Sequence, residues 1–166
     1  GFRYICPLTR LVAEQARLPA SHSRVSCRPM QNADVAAVAR LDAEVAGVDR
    51  GAMVRSLHDR APALSWVAEG GGVLRGFCLG RDGQVGDQLG PIVADDDSVA
   101  IALTAQALRA RQEESRRIYV DAARSNGGYI TWLQDIGFIE QRGFSRMIKG
   151  RDKSLGKPES LFAIAG

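Results

Sequence analysis

The sequence predicts an α/β (α+β) domain: a mixed central sheet of about six strands flanked by helices, in the order β-α-α-β-β-β-α-β-α-β. Three observations predict it. A hairpin meander fills the middle of the chain, with Glu69-Gly70-Gly71-Gly72 and Asp82-Gly83 as its turns. Beyond it, helical and strand periods alternate as far as Lys149, the pattern of strands joined by crossover helices. The length of 166 residues, 45% hydrophobic and 25% charged, is about one domain of ordinary globular composition.

The elements follow in chain order. Residues 2–11 alternate as a strand with Tyr4, Cys6 and Leu8 on one face, and residues 17–23, with Pro19 and small polar side chains, read as linker. Val25-Ser26-Cys27-Arg28-Pro29-Met30 is a short strand closed by a proline turn. Asn32 or Asp34 then caps a helix whose Val35, Val38, Leu41 and Val45 share a face, and Gly47 stops it. Residues 51–60 form a second helix with Met53, Val54 and Leu57 inward. Strands at 64–68, 73–79 and 88–93 make the meander. A helix over 98–114 turns Val99, Ala102, Leu103 and Ala107 to the core. Ile118-Tyr119-Val120 is a short buried strand. A helix over 127–135 carries Tyr129, Ile130, Trp132 and Leu133, and Gly137-Phe138 opens a last strand. The tail is polar until Leu161-Phe162-Ala163-Ile164, which is apolar enough to dock. The organisation expected is therefore 1–24 (strand and linker), 25–150 (the domain) and 151–166 (the tail).

Composition excludes several classes of function. No run approaches the roughly 18 apolar residues of a membrane helix, so no membrane partner is expected. Cys6, Cys27 and Cys78 are scattered without C-x-x-C spacing, which reads as reduced thiols in the cytoplasm. His22 and His58 are too few for a histidine-rich metal cluster, so no metal is expected. A net charge of +3, from 22 basic against 19 acidic residues, is too weak to indicate nucleic acid.

With this order, three features resemble the GNAT family of acetyl-CoA-dependent N-acyltransferases. They are the opening strand and turn from Val25 to Met30, Asn126 just after the strand of Ile118-Tyr119-Val120, and the Gly137-Phe138 pair before the last strand. The resemblance covers residues 24–150. It implies transfer of an acetyl group from acetyl-CoA to a primary amine of a small molecule or peptide. The alternative is a non-catalytic GNAT-like domain that supports an upstream catalytic half or binds a ligand without turnover. Asp49-Arg50, Gly90-Pro91-Ile92-Val93-Ala94 and Arg146-Met147 further resemble the C-terminal domains of tandem two-GNAT bacterial proteins.

An internal echo accompanies this. Gly1-Phe2 and Gly137-Phe138 lie 136 positions apart, as do Thr9 and Ser145, Arg10 and Arg146, and Leu11 and Met147. Residues 1–11 thus read as the last strand of an upstream GNAT domain, expected to dock on a sheet edge of its own chain or, in a homodimer, of a second copy.

The resemblance also implies a site. The fourth strand of the domain must splay from the fifth, here after Ile92, so that Ile92, Val93 and Ala94 meet the pantetheine arm. Ser98, Val99, Ala100 and Ala102 occupy the phosphate-binding turn and helix start, and Asn126 closes the other side. The segment Ala94-Asp95-Asp96-Asp97-Ser98 departs from the family pattern, because Asp97 stands where Arg or Gln is expected. Its acidic residues and Ser98 suit helix capping better than an anion, whose charge they would repel. The position seven after Asn126, where a tyrosine protonates the departing thiolate in many members, is Leu133. Tyr129 remains as an acid candidate or a packing residue. Asp121, Asp87 and Glu69 are the candidate bases, each also readable as an exposed turn carboxylate. Asp49-Arg50 reads as a local ion pair, and Arg109, Arg111, Arg116 and Arg117 as a solvated face.

Overall fold

A computed structural model describes residues 1–20, 24–114, 116–150 and 156–165. Part of the expected linker (21–23) and the start of the tail (151–155) lie outside the described residues. Eight strands, β1 (Phe2–Ala13), β2 (Ser26–Pro29), β3 (Trp66–Gly70), β4 (Val73–Asp82), β5 (Asp87–Ala94), β6 (Ile118–Ala123), β7 (Ile139–Lys149) and β8 (Leu161–Ala163), form one mixed sheet. Their spatial order is β2-β3-β4-β5-β8-β6-β1-β7. The helices are α1 (Val35–Ala46), α2 (Gly51–Arg60), α3 (Asp97–Ala110) and α4 (Gly127–Asp135).

Period-2 alternation splits the core between the two faces. Phe77, Leu79 and Val93 point to the face covered by α1 and α2, where Val35, Val38 and Val54 meet them. Cys78, Ile92 and Ala94 point the other way, onto Val99, Leu103 and Ala107 of α3 and Tyr129 and Leu133 of α4. Gly47 ends α1 in the left-handed conformation at φ 72°, its N–H donating to the Ala43 carbonyl at 2.8 Å. The helix expected to reach residue 114 stops at Ala110, and Gln112–Glu114 tightens into a 3-10 turn.

The six strands read within 25–150 are all present, and the two additional strands come from the chain's ends. β1 is the larger correction. It lies inside the sheet, antiparallel to β6 on one side and to β7 on the other, with Leu8, Leu11, Val12 and Ala13 buried. The expected edge docking therefore does not occur within this chain, and the outer edge belongs to β7. Pro7 stands opposite Ser145 of β7, and on the β6 side, just past the pairing of Leu8 with Ala123, its carbonyl accepts from the Arg124 N–H at 3.1 Å. At the outer end of β1, Phe2 and Tyr4 stay exposed, so these two do not share Leu8's burial. The apolar end of the tail docks as expected, and its place is between β5 and β6, as β8.

Candidate acyl-CoA wedge

The parallel pair at the centre of the sheet is short. Asp87, Gln88 and Leu89 of β5 run beside Ile118, Tyr119 and Val120 of β6, and the strands then part. The divergence comes three residues before the expected Ile92, and local chemistry explains it. Gly90 and Pro91 stand opposite Leu79 alone, a bulge that bends the strand. Pro91 has no N–H for a ladder. Gly90 is held at φ 148°, and a Cβ there would collide with the Ile164 carbonyl, so the turn requires glycine.

The resulting wedge is filled by β8. Ala163 pairs with Ile92 on one side and with Ala122 on the other, and Leu161 pairs with Val93. The Ile164 N–H donates to the Asp121 carbonyl at 3.0 Å, and the Asn126 amide Nδ2 donates to the Leu161 carbonyl at 3.0 Å. Phe162 packs edge-on against Tyr129 with ring centroids 5.5 Å apart. Of the expected cofactor residues, Ile92, Val93 and Asn126 thus line the wedge, whereas Ala94 pairs away from it with Gly76 of β4.

At the wide end of the wedge the N-terminus of α3 is capped from within the chain. Asp96 is the N-cap: its Oδ1 accepts from the Val99 N–H at 3.0 Å and from the Ser98 hydroxyl at 2.5 Å. These hydrogen bonds, led by that from Ser98, hold the Asp96 carboxyl below the usual carboxylate range. The Ala100 N–H is bonded to the Asp96 carbonyl at 3.1 Å, and Ala100 and Ala102 are buried in the helix's core face. The Asp97 carboxylate lies against Gly128 of α4, where an added Cβ would push it aside. Arg75 faces the acidic group, pairing with Asp95 at 3.2 Å and Asp96 at 3.0 Å.

The candidate catalytic groups are all engaged. Tyr129 is fully buried with its hydroxyl 2.8 Å from that of Thr104, and burial pushes its pKa up, so it stays protonated at neutral pH. Asp121 is buried and takes a bidentate pair of hydrogen bonds from Arg10 at 2.7 Å each, with a third from Gln88 at 2.8 Å. Asp87 is also buried. It accepts from Arg111 at 2.8 and 3.2 Å, and Arg116 Nε stands 3.2 Å away as a charge contact without its N–H aimed at the oxygen. Glu69 receives Arg28, which also binds Asp34 at 2.6 and 2.9 Å.

Of the arginines read as a solvated face, Arg111 ties the end of α3, and Arg116 the approach to β6, to Asp87 at the start of β5, whereas Arg117 makes an exposed pair with Glu14 and Arg109 donates to the Pro19 carbonyl at 3.1 Å. Asp49-Arg50 is not an ion pair either. Arg50 reaches back to the fully buried Asp42 of α1 at 2.6 and 2.9 Å, while Asp49 Oδ1 accepts from the Gly51 N–H. Sequence reading missed Arg10, Gln88 and Arg81, which with Tyr119 line a cavity of about 430 Å³ beside Asp121. Only the strand register of Arg10 opposite Asp121 reveals the pair, because the two are 111 positions apart.

With the wedge defined, comparison with known proteins places the chain. The family description "Acetyltransferase (GNAT) domain" matches residues 38–163, and the chain belongs to the GNAT acetyltransferase family. Among individual proteins, it is similar to the holothin acyltransferase of Pseudoalteromonas sp. (strain SANK 73390), at 27% identity over 128 residues, 77% of this chain and 43% of that protein. Its fold matches a Pyrococcus horikoshii protein assigned as an acetyltransferase, with TM-score 0.70 and 19% identity over 99% of this chain and 52% of the other. A GCN5-related N-acetyltransferase from Sphaerobacter thermophilus matches with TM-score 0.67 and 18% identity, over 87% of this chain and 51% of the other. The chain thus spans about half the length of these relatives. Among the described residues, no helix is long and apolar enough to cross a membrane.

Proposed function

We propose that this domain binds acetyl-CoA with the pantetheine arm in the β5–β6 wedge and transfers the acetyl group to a primary amine of a small molecule or peptide. The observation that supports this most is the parting of the parallel pair after Leu89, which turns backbone groups of Ile92, Val93 and Asp121 toward one gap. That gap has the width of a single extended chain, since one strand fills it. Pantetheine is such a chain, with two amides that need the donors and acceptors a strand edge offers. The diphosphate end fits less well, because the Val99 N–H is capped and three aspartates stand at the helix start. Binding is therefore carried by the wedge and is weak at the phosphates.

Acetyl-CoA would supply an activated acyl carbon, onto which a neutral amine would form a C–N bond as the C–S bond breaks, the nitrogen losing a proton to solvent and the departing thiolate taking one up. The chain's part is mainly to hold the two reactants in one ternary complex. Tyr129, which burial keeps protonated at neutral pH and which packs against the wedge-filling Phe162, is the candidate acid for the leaving sulfur once its bond to Thr104 opens. Asp121 holds Arg10 and Gln88 at the narrow end of the wedge. A second reading, binding without turnover in support of an upstream catalytic half, is favoured by one observation: Asp121 and Asp87 are both committed to arginines.

Thiol release from acetyl-CoA in the presence of a panel of primary amines, run beside calorimetry, separates the two. Amine-dependent release supports transfer, and binding heat without release supports the second reading. Replacing Asp95, Asp96 and Asp97 together by Asn keeps a capping side chain but removes the charge, and should tighten binding about tenfold. Unchanged affinity in that variant would contradict the electrostatic account.

The proposal extends to partners and location. The likeness of β1 to the β7 strand it pairs with supports a GNAT unit upstream, while β1 itself is built into this domain's sheet. The exposed Phe2, Tyr4 and Met147 at one end of β1 and β7 support contact with that unit or with a second copy. Three free thiols, with burial pushing that of Cys27 up to about 11, support a reducing, cytoplasmic setting.

A further inference from the structure

We propose that the C-terminal segment Leu161–Ile164 is a displaceable strap that closes the wedge, so that thioester binding and strap release are one exchange. This rests on the acetyl-CoA reading above and adds a regulatory step to it.

The strap engages the groups that reading assigns to the ligand. Ile92 and Val93 pair with Ala163 and Leu161, the Asn126 amide donates to the Leu161 carbonyl, and the Asp121 carbonyl accepts from Ile164. Phe162 covers the ring of Tyr129. A ligand arm and the strap cannot occupy one single-chain gap together. The Gly90 carve-out points the same way, since its missing side chain is what admits the Ile164 carbonyl into the wedge.

The strap can leave without taking the sheet with it. β5 keeps its antiparallel ladder to β4 and its parallel contact to β6 at Asp87, Gln88 and Leu89, and β6 keeps β1. The strap's own anchors are short. β8 is three residues long; Leu161, Phe162 and Ala163 are buried, so the open state is a minor population, and the approach is held by the Lys157 N–H on the Val45 carbonyl at 3.0 Å and an exposed Lys157–Glu44 ion pair at 3.4 Å. A site whose open state is a minor population shows a dissociation constant raised by the inverse of that population, about 10-fold or more when the open fraction is a tenth or less.

Calorimetry with CoA on three forms of the full chain tests the strap. Phe162→Asp places a charge where the wedge is buried and should free the strap, tightening CoA binding by about 10-fold or more. The pair Ala122→Cys and Ala163→Cys puts two thiols at directly facing positions, a separation that suits a disulfide. Oxidised, it should abolish CoA binding, and reduction should restore it. The locked form adds a bond to an intact sheet, so it keeps the test decisive even if Phe162→Asp fails to fold. Equal CoA affinity in the oxidised and reduced forms overturns the strap and the placing of the pantetheine arm in the wedge, and leaves CoA binding by the domain standing. No binding in any form, Phe162→Asp and the reduced pair included, overturns the acetyl-CoA reading and the strap with it.

Discussion

Deleting residues 1–13 should abolish the cooperative unfolding transition of this domain. β1 is a shared strand: when it goes β6 loses its pairing on that side, and β7 is left with no partner in the sheet. Leu8, Leu11, Val12 and Ala13 leave the core at the same time. A graded version isolates the packing. Leu11→Ala, at a site with no solvent exposure, should cost about 2–5 kcal/mol, a large part of the roughly 5–15 kcal/mol that stabilises a typical domain. Tyr4→Ser, on the exposed end of the same strand, should shift stability by no more than about 0.5 kcal/mol. Urea titrations followed by circular dichroism measure all three. A deleted form that still melts cooperatively would show that β1 is an ornament on the sheet.

Arg10→Leu should be nearly as damaging although Arg10 is itself partly exposed. Its guanidinium is what neutralises Asp121, whose side chain is only 1% exposed. Taking a charge out of water costs several kcal/mol, and the pair offsets this only while both members are present. Removing Arg10 leaves Asp121 with the Gln88 amide alone, at an expected cost of about 3–5 kcal/mol. Replacing both Arg10 and Asp121 by Leu should recover most of that loss, since the penalty belongs to the orphaned charge. A double variant no more stable than the single would place the cost in packing. Arg50→Leu acts by the same physics on the fully buried Asp42.

What the sequence disclosed follows a physical boundary. Signals that act within a few residues were legible: the hairpin glycines, the periodicity of α1 and α3, the acidic cap at Asp96 and the turn before Asn126. Pairings across the chain were not. Residues 2–11 alternate like a strand, but alternation names a face and not a neighbour, so nothing local told an edge from the slot between β6 and β7. The apolar run at Leu161 announced that it would be covered and could not say by what. Arg50 was assigned to the adjacent Asp49, yet adjacent residues in a turn point apart, and the guanidinium found Asp42 one helix back. The splay was misplaced by reading the strand as continuous through Gly90-Pro91, where a residue without an N–H beside one at φ 148° already marks the break. Asp121 and Asp87 carry chemistry-bearing side chains, but only the fold shows that arginines from β1 and α3 have claimed them.

Hydrogen exchange of the full chain with and without saturating CoA tests the central claim, that the β5–β6 wedge is the ligand site and β8 its occupant. The Ile164 amide, bonded to the Asp121 carbonyl, and its neighbours in β8 should lose protection when CoA binds, while Ile92 and Val93 of β5 stay protected by the arm that replaces the strap. CoA binding that leaves protection of residues 161–164 unchanged would contradict it and place the ligand elsewhere on the domain.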